Sequence, residues 1–524
     1  MPNESLKKTP AFHHPWIPDQ QDGTFYNPII YADYSDPDAI RFDDDFYLVA
    51  SSINCMPGLP ILHSPDLVNW TIINHAVKNL PHPRYAEVQH GCGVWAPAIR
   101  FYNSKFWIFF STPDEGIYMT TADHPADRWS EPHLVQEGKG LIDPCPFWDD
   151  DGNAYLVHAY ASSRTGIKHI LRVRPMAVTG SRLLGEGKIV FHDPERHPTL
   201  EGPKFLKKDG WYYILAPAGS VQTGWQVVLR SRNIFGPYED KIVLEQGSTS
   251  INGPHQGALV DLPNGEWWFL HFQDAGAYGR IIHLQPVSWK DGWPLMGRDL
   301  DGNGIGEPVL HCQKPAIGHG SSVAIPQTSD EFDSPTLGLQ WQWHANFSEK
   351  WFSLSARKNR LRLFSVPMPA NAANFWPVPN LLLQKLPARK FTATTELDFS
   401  RLAVGGKAGL IVMGLDYSYL AVERTAANFW LIRATSQDAR KGDAEVIEAE
   451  TECAGDSIFL RVDVDEGALC HFSSSRDGEN FSALGKIFTA REGLWIGAKV
   501  GLFCLSTDAE NKSGHADFAW FRFS

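Results

Sequence analysis

No stretch of eighteen apolar residues occurs in this 524-residue chain, so a membrane-spanning helix is not expected. The first twenty residues, MPNESLKKTPAFHHPWIPDQ, also lack an apolar segment of the secretory type, and a cytoplasmic location is the expectation. Cysteine is scarce. Cys55, Cys92, Cys145, Cys312, Cys453, Cys470 and Cys504 are odd in number, scattered and free of any C-x-x-C pair, which argues against a disulfide framework or a zinc site. Long basic runs are missing and the net charge is −13, so nucleic acid is not an expected partner. The acidic stretches Asp43-Asp44-Asp45, Asp149-Asp150-Asp151 and Asp299 to Asn303 lack the twelve-residue spacing and terminal Glu of an EF-hand, and read as solvated turns. Helix signals are sparse as well, and no Ser-His-Asp or Cys-His arrangement is visible.

Aromatic residues are present in quantity and in order. Five short runs stand behind polar turns: Phe46 to Ala50, Phe106 to Phe110, Ala154 to His158, Trp211 to Leu215 and Trp267 to His271, with starts 60, 48, 57 and 56 residues apart. Units of that length, too long for one hairpin and too poor in helix for βαβ, predict the blades of a β-propeller. Asp151-Gly152, Asp209-Gly210 and Asn264-Gly265 directly precede three of the runs, which makes each run the second arm of a hairpin. The fold class is therefore all-β, with a five-bladed propeller over residues 1–314 and a Gly/Ser/Pro-rich linker over 315–329. Alternating segments over 330–524 predict an antiparallel β-sandwich, a concanavalin-like jelly roll.

Counting back from each run, Asp36, Trp95, Asp143, Glu201 and His255 lie 10, 11, 11, 10 and 12 residues upstream. If the first strand of each blade is innermost, these side chains converge at one mouth of the central channel. An Asp before Pro at a strand start is ordinarily a turn former; three acids in register across three blades are harder to obtain that way. Several carboxylates around an aromatic wall suit glycoside hydrolysis, in which one carboxylic acid protonates the leaving oxygen and a carboxylate opposite activates water. A third acid raises the pKa of the proton donor by its negative charge.

In Ser35 to Arg41, Pro57 to Trp70, Val94-Trp95-Ala96-Pro97, Leu141 to Pro144, Leu200 to Pro203 and Asn252 to Gly257, the chain resembles glycoside hydrolase family 43. That family holds the five-bladed propeller β-xylosidases and α-L-arabinofuranosidases, and the likeness extends over the C-terminal sandwich. The resemblance implies that Asp36 is the general base, Glu201 the general acid and Asp143 the residue that tunes that acid. It also implies inversion, with the Asp36 and Glu201 carboxyls roughly 6.5 to 9.5 Å apart. Arg280 matches an arginine that bonds the terminal sugar's hydroxyls, and Trp95 lines the sugar pocket. Where xylosidases of the group carry an aromatic residue, this chain has Ile53. His255 matches a channel histidine that in some members meets a water-shelled cation such as Ca²⁺, although one imidazole is a poor ligand for so hard an ion; no cofactor is required for the chemistry. Trp495 or the Asn374 to Pro377 loop of the sandwich is a candidate wall for the pocket. The resemblance thus implies an exo-acting enzyme that takes xylose from xylo-oligosaccharides and also cleaves arabinofuranosides, with a homo-oligomer compatible. An arabinan-degrading enzyme with an open groove and a non-catalytic sugar-binding propeller are the alternatives.

Overall fold

The computed structural model describes residues 14–317, 322–508 and 513–524. Residues 38–296 form five antiparallel sheets of four strands, each taken in chain order. Blade 1 runs Asp38–Phe42, Asp45–Val49, Gly58–Ser64 and Thr71–Val77. Blade 2 runs Trp95–Tyr102, Lys105–Thr112, Gly116–Ala122 and His133–Glu137. Blade 3 runs Leu141–Trp148, Ala154–Tyr160, Ile170–Met176 and Lys188–His192. Blade 4 runs Lys204–Lys208, Trp211–Ala218, Trp225–Ser231 and Glu239–Leu244. Blade 5 runs His255–Asp261, Trp267–Asp274, Arg280–Lys290 and Trp293–Met296. All five aromatic runs fall on second strands, whose two faces are buried between neighbouring blades. That is why they read as near-continuous apolar segments rather than as alternation.

The turns before those strands follow from their residues. Asp209 and Gly210 both have positive φ (51° and 72°), as do Asn103 and Ser104 (50° and 59°), the geometry of a tight two-residue hairpin whose twist matches its strands.

Because every blade is complete within its own stretch of chain, the ring closes without a shared strand. Leu270, Phe272, Ile282 and Leu284 of blade 5 pack with Phe46, Leu48 and Leu62 of blade 1 and with Phe25 and Ile30 of the preceding segment in one buried cluster. Asn27 fastens this seam, donating from Nδ2 to the carbonyls of Leu284 and Val309 and accepting the Leu284 N–H. Thr24–Tyr26 also pairs with His311–Gln313 beyond the last blade.

The C-terminal region holds two facing sheets. One contains Leu382–Lys385, Lys499–Ser506, Gly406–Met413, Tyr417–Arg424, Phe429–Ser436 and Val446–Glu452, and the other Leu361–Phe364, His515–Phe523, Phe391–Asp398, Ser457–Asp465 and Leu469–Ser475. Phe391–Asp398 alternates buried and half-buried residues, as a strand with one solvated face must. The linker is laid across blade 1: Gln327 bonds both the N–H and the carbonyl of Ile72, and Ala324 N–H donates to Asn69 Oδ1.

Candidate active site

The innermost strands begin with a shared irregularity. Asp36, Ala96, Asp143, Gly202 and Gln256 all lie in the left-handed region, with φ of 52°, 33°, 56°, 58° and 55°, and Pro follows in four of them, Gly257 in the fifth. In blades 2, 3 and 5 the ladder to the second strand shifts register here, the signature of a bulge. For non-glycine residues such a backbone costs about 1–3 kcal/mol each, and it persists only where surrounding bonds hold it. The upstream count of ten to twelve therefore mixes two positions of one bulge. Asp36 and Asp143 occupy the left-handed residue itself, whereas Trp95, Glu201 and His255 precede it.

The bonds that hold the bulges also link blades. Ser51 Oγ donates to Asp36 Oδ2 (2.7 Å) and accepts the Ala96 N–H (2.7 Å), joining blades 1 and 2. Asp143 Oδ2 accepts the Gly202 N–H (2.8 Å), joining blades 3 and 4. Gln226 Oε1 of blade 4 accepts the Gln256 N–H (2.9 Å) of blade 5. Arg280 Nη1 donates to Asp36 Oδ1 (2.6 Å) and Ser35 Oγ (2.7 Å), joining blades 5 and 1. Ser35 Oγ donates in turn to Asp36 Oδ2 (2.9 Å).

The carboxyls have unequal surroundings. Asp36 has two hydroxyls and a guanidinium within hydrogen-bond reach. Glu201 accepts no side-chain or backbone hydrogen bond among the described residues; burial first, then the negative charges of Asp143 and Asp36, drive its pKa upward, against weaker opposition from Arg280 and Lys168. Asp143 is likewise pushed up, by burial first and by the Asp36 charge, while the Gly202 N–H, Lys204 and Arg280 pull the other way. The influence of each acid on the others places all three in one neighbourhood. With the Gly202 N–H favouring an ionised Asp143 and nothing comparable on Glu201, a proton shared between the two resides on Glu201. The arrangement can thus present a neutral carboxylic acid and a carboxylate with a fixed counter-charge at once.

Aromatic and cationic groups surround the acids. Trp95 is half-buried, and its Nε1 is buried without a partner among the described residues. Its ring meets the Trp495 ring edge-on at 6.3 Å, with the Arg164 guanidinium 5.4 Å from its centroid. Arg280 lies over Phe272 at 4.8 Å and within 6.0 Å of Trp495. Of the two sandwich candidates, Trp495 is therefore the one brought to the propeller mouth, and the residue is 53% exposed. Trp376 instead stacks on His90 at 3.4 Å. Ile53 is 2% exposed and exchanges both backbone bonds with Val94, so it offers a ligand almost no surface. His255 is buried, and its Nδ1 lies 2.8 Å from the Gly253 carbonyl, an acceptor that requires the N–H on Nδ1. Burial lowers its pKa to about 3, leaving a neutral ring. Among the described residues no group of three His, Cys, Asp or Glu could hold a metal ion, so the surroundings of His255 do not fit a directly ligated cation.

Sequence spacing did not point to Ser35, Ser51 or Asp33. Both serines adjoin residues that spacing did single out: Ser35 precedes Asp36 and Ser51 follows the first aromatic run. Asp33 has no such marker. Its Oδ1 accepts the Arg280 N–H (3.0 Å), and its Oδ2 accepts the Gly497 N–H (2.9 Å) and Lys499 Nζ (3.1 Å). One buried carboxylate thereby fixes the backbone of Arg280 and the sandwich loop that carries Trp495.

Comparison with known proteins agrees with this architecture. Residues 25–294 match the family model described as Glycosyl hydrolases family 43, and residues 329–524 match that of the Beta xylosidase C-terminal Concanavalin A-like domain. The chain is 40% identical over 496 residues to a putative beta-xylosidase of Xylanibacter ruminicola, covering 94% of this chain and 88% of the relative. It is 30% identical over 539 residues to a non-reducing end alpha-L-arabinofuranosidase of Bacteroides ovatus, covering 95% and 94%. Among solved structures, the bifunctional GH43-CE protein of Bacteroides eggerthii superposes with a TM-score of 0.83 at 26% identity; the match covers 95% of this chain and 63% of that one.

Proposed function

The chain belongs to glycosyl hydrolase family 43, and we propose that it is an exo-acting, inverting hydrolase that releases xylose from the non-reducing end of xylo-oligosaccharides and also removes α-L-arabinofuranosyl groups. The observation that carries this reading is the contrast between the two outer acids. Glu201 is half-buried, free of hydrogen bonds from described residues and driven toward its neutral form, whereas Asp36 is held by Ser35, Ser51 and Arg280.

In the proposed mechanism Glu201 gives its proton to the glycosidic oxygen as the bond to the anomeric carbon breaks. Asp36 takes a proton from a water that attacks the opposite face of the sugar, while Ser51 and Arg280 fix the carboxylate's orientation. Asp143 acts through Glu201, and the planar fork of Arg280 has Nε and Nη2 left for vicinal hydroxyls. Trp95 offers its face to the apolar side of the ring. Trp495 supports an exo action because it makes a wall at the mouth, where an arabinan-degrading enzyme of this fold needs an open groove.

Xylobiose hydrolysis followed by proton NMR tests the mechanism: the first product from the non-reducing sugar is expected as the α-anomer. A β-anomer would overturn inversion. Hydrolysis of debranched arabinan without action on xylobiose would decide for the groove-type alternative. Glu201→Gln should lose about 10²–10⁴ in rate on xylobiose and much less on a nitrophenyl xyloside, whose leaving group needs little protonation. Asp36→Asn should be nearly inactive on both.

A further inference from the structure

A cavity separate from the acids lies where the segment before blade 1, the outer strands of blade 1 and the first strands of the sandwich meet. Water-sized spheres can be centred within it over about 40 Å³, room for roughly three waters or one small solute. Its wall is largely apolar, with Trp16, Ile30 and Ile72 among the contributors, yet Tyr34, His75, Gln384 and Lys385 also line it.

Gln327, Gln340 and Gln342 of this wall have partners, whereas Tyr34, His75, Gln384 and Lys385 are short of them. Among the described residues, Nδ1 of His75 and Nε2 of Gln384 are buried with no hydrogen-bond partner, and the Tyr34 hydroxyl bonds none of them. Among the described residues Lys385 Nζ bonds only Gln342 Oε1 (3.0 Å), and it stands 4.9 Å from the centre of the Tyr34 ring. The charged groups acting on Lys385 are Lys499, which repels it, and Asp33, with the Cys55 thiol as the remaining titratable neighbour. Asp33 is already bound to Lys499, and burial pushes the Cys55 thiol up, so it stays neutral. His75, lowered to about 3 by burial and by Lys385, is neutral too. Lys499, buried, and Lys385, half-buried and lowered to about 8 by burial and then by Lys499, therefore share one carboxylate. A buried charge without a counter-charge is costly, and a cavity beside it lined by unused donors is suited to admit one.

We propose that this cavity binds a small monoanion, either a halide or a carboxylate of one or two carbons, against Lys385 with Tyr34, His75 and Gln384 as hydrogen-bond donors. The apolar remainder of the wall accepts a methyl group and rejects a polyhydroxylated anion. Tyr34 also donates its backbone N–H to the Arg280 carbonyl (3.0 Å), so the occupant would brace the junction on which the candidate active site is mounted.

Crystals of the full chain soaked in sodium bromide provide the direct test, with an anomalous bromine peak expected in the cavity at Lys385 Nζ. In parallel, thermal unfolding is followed at constant ionic strength while gluconate, too large for the cavity, is replaced by bromide or by acetate. The parent should gain about 1–3 °C with a fitting anion, whereas Lys385→Met, which keeps the volume and removes the charge, should gain nothing. A gain with bromide alone identifies a halide site, and one with acetate alone a carboxylate site. Absence of a bromine peak together with equal melting in all three salts overturns the proposal. So does an equal gain in parent and variant. If the variant does not fold, the bromide soak and the parent's salt series decide between these outcomes.

Discussion

Two residues of the bulge position, Asp36 and Asp143, are equivalent by backbone but not by surroundings, and the difference supports the separate roles proposed for them. Asp36 is pinned by the Arg280 cation, whereas Asp143 has the Gly202 N–H and then only longer-range neighbours. The Asp143 charge is the second cause, after burial, of the raised pKa of Glu201. With Glu201 as the proposed acid, which must be protonated to act, activity is expected below its pKa and is lost as pH rises through it; raising that pKa extends activity upward. Asp143→Asn should therefore move the basic limb of kcat/KM on xylobiose to lower pH by about one unit. The comparison needs a poor leaving group, since an activated one hides loss of the acid. A basic limb that stays in place would mean that burial alone sets the Glu201 pKa, and the role given to Asp143 would fail.

At the level of the element, the candidate active site is a property of five irregular strand starts. Blade 5 shows how tightly they are built, for a Cβ on Gly257 would lie 1.7 Å from the Leu270 carbonyl oxygen and 2.9 Å from the His271 Cα. Backbone cannot yield as a flexible side chain can. Gly257→Ala is expected to cost about 3 kcal/mol or more, measured by denaturant unfolding, whereas Gly265→Ala at an open hairpin tip meets no atom and costs only its positive-φ strain. Equal losses at the two sites would show that the strand start is more pliable than its contacts imply. This irregularity also explains what could be read in the sequence and what could not. The second strands are buried on both faces, so their aromatic runs gave the blade count and the hairpins directly. The acids were found by counting back from them, but a bulge adds a residue without leaving a composition signal, and the two positions it creates could not be separated. Ser51 was invisible because a hydroxyl that bridges two blades looks like any strand-end serine. Asp33 and Trp495 depend on the docking of the two halves of the chain, which no local pattern encodes.

For the whole molecule, the decisive contact is that docking. Gly497 and Gly279 pass so closely that a Cβ on the former would lie 2.8 Å from the latter's Cα, and the Ala498 N–H donates to the Ala277 carbonyl (2.7 Å). Between them sits the Asp33–Lys499 pair, at 2% and 4% side-chain exposure. A buried ion pair of this kind is weak evidence for net stability, because desolvation offsets much of the attraction; removing one partner is costly because the other is left buried and charged. Lys499→Met should therefore destabilise the protein by about 3–5 kcal/mol, and Asp33→Asn by a comparable amount, since it also gives up the carboxylate that accepts the Gly497 N–H. The double variant should be less unstable than the sum of the two, with a coupling of about 1–3 kcal/mol in a double-mutant cycle. The same cycle has a functional reading that ordinary loss of packing would not give. Asp33 holds the Arg280 backbone and the Trp495 loop, neither of which transfers a proton, so Lys499→Met should raise KM for xylobiose several-fold more than it lowers kcat. Additive stabilities with an unchanged KM would show the pair to be a bystander. A rise in KM that the double variant does not reverse would place the effect on the bonds of Asp33 to the Arg280 and Gly497 N–H groups rather than on the charge pair.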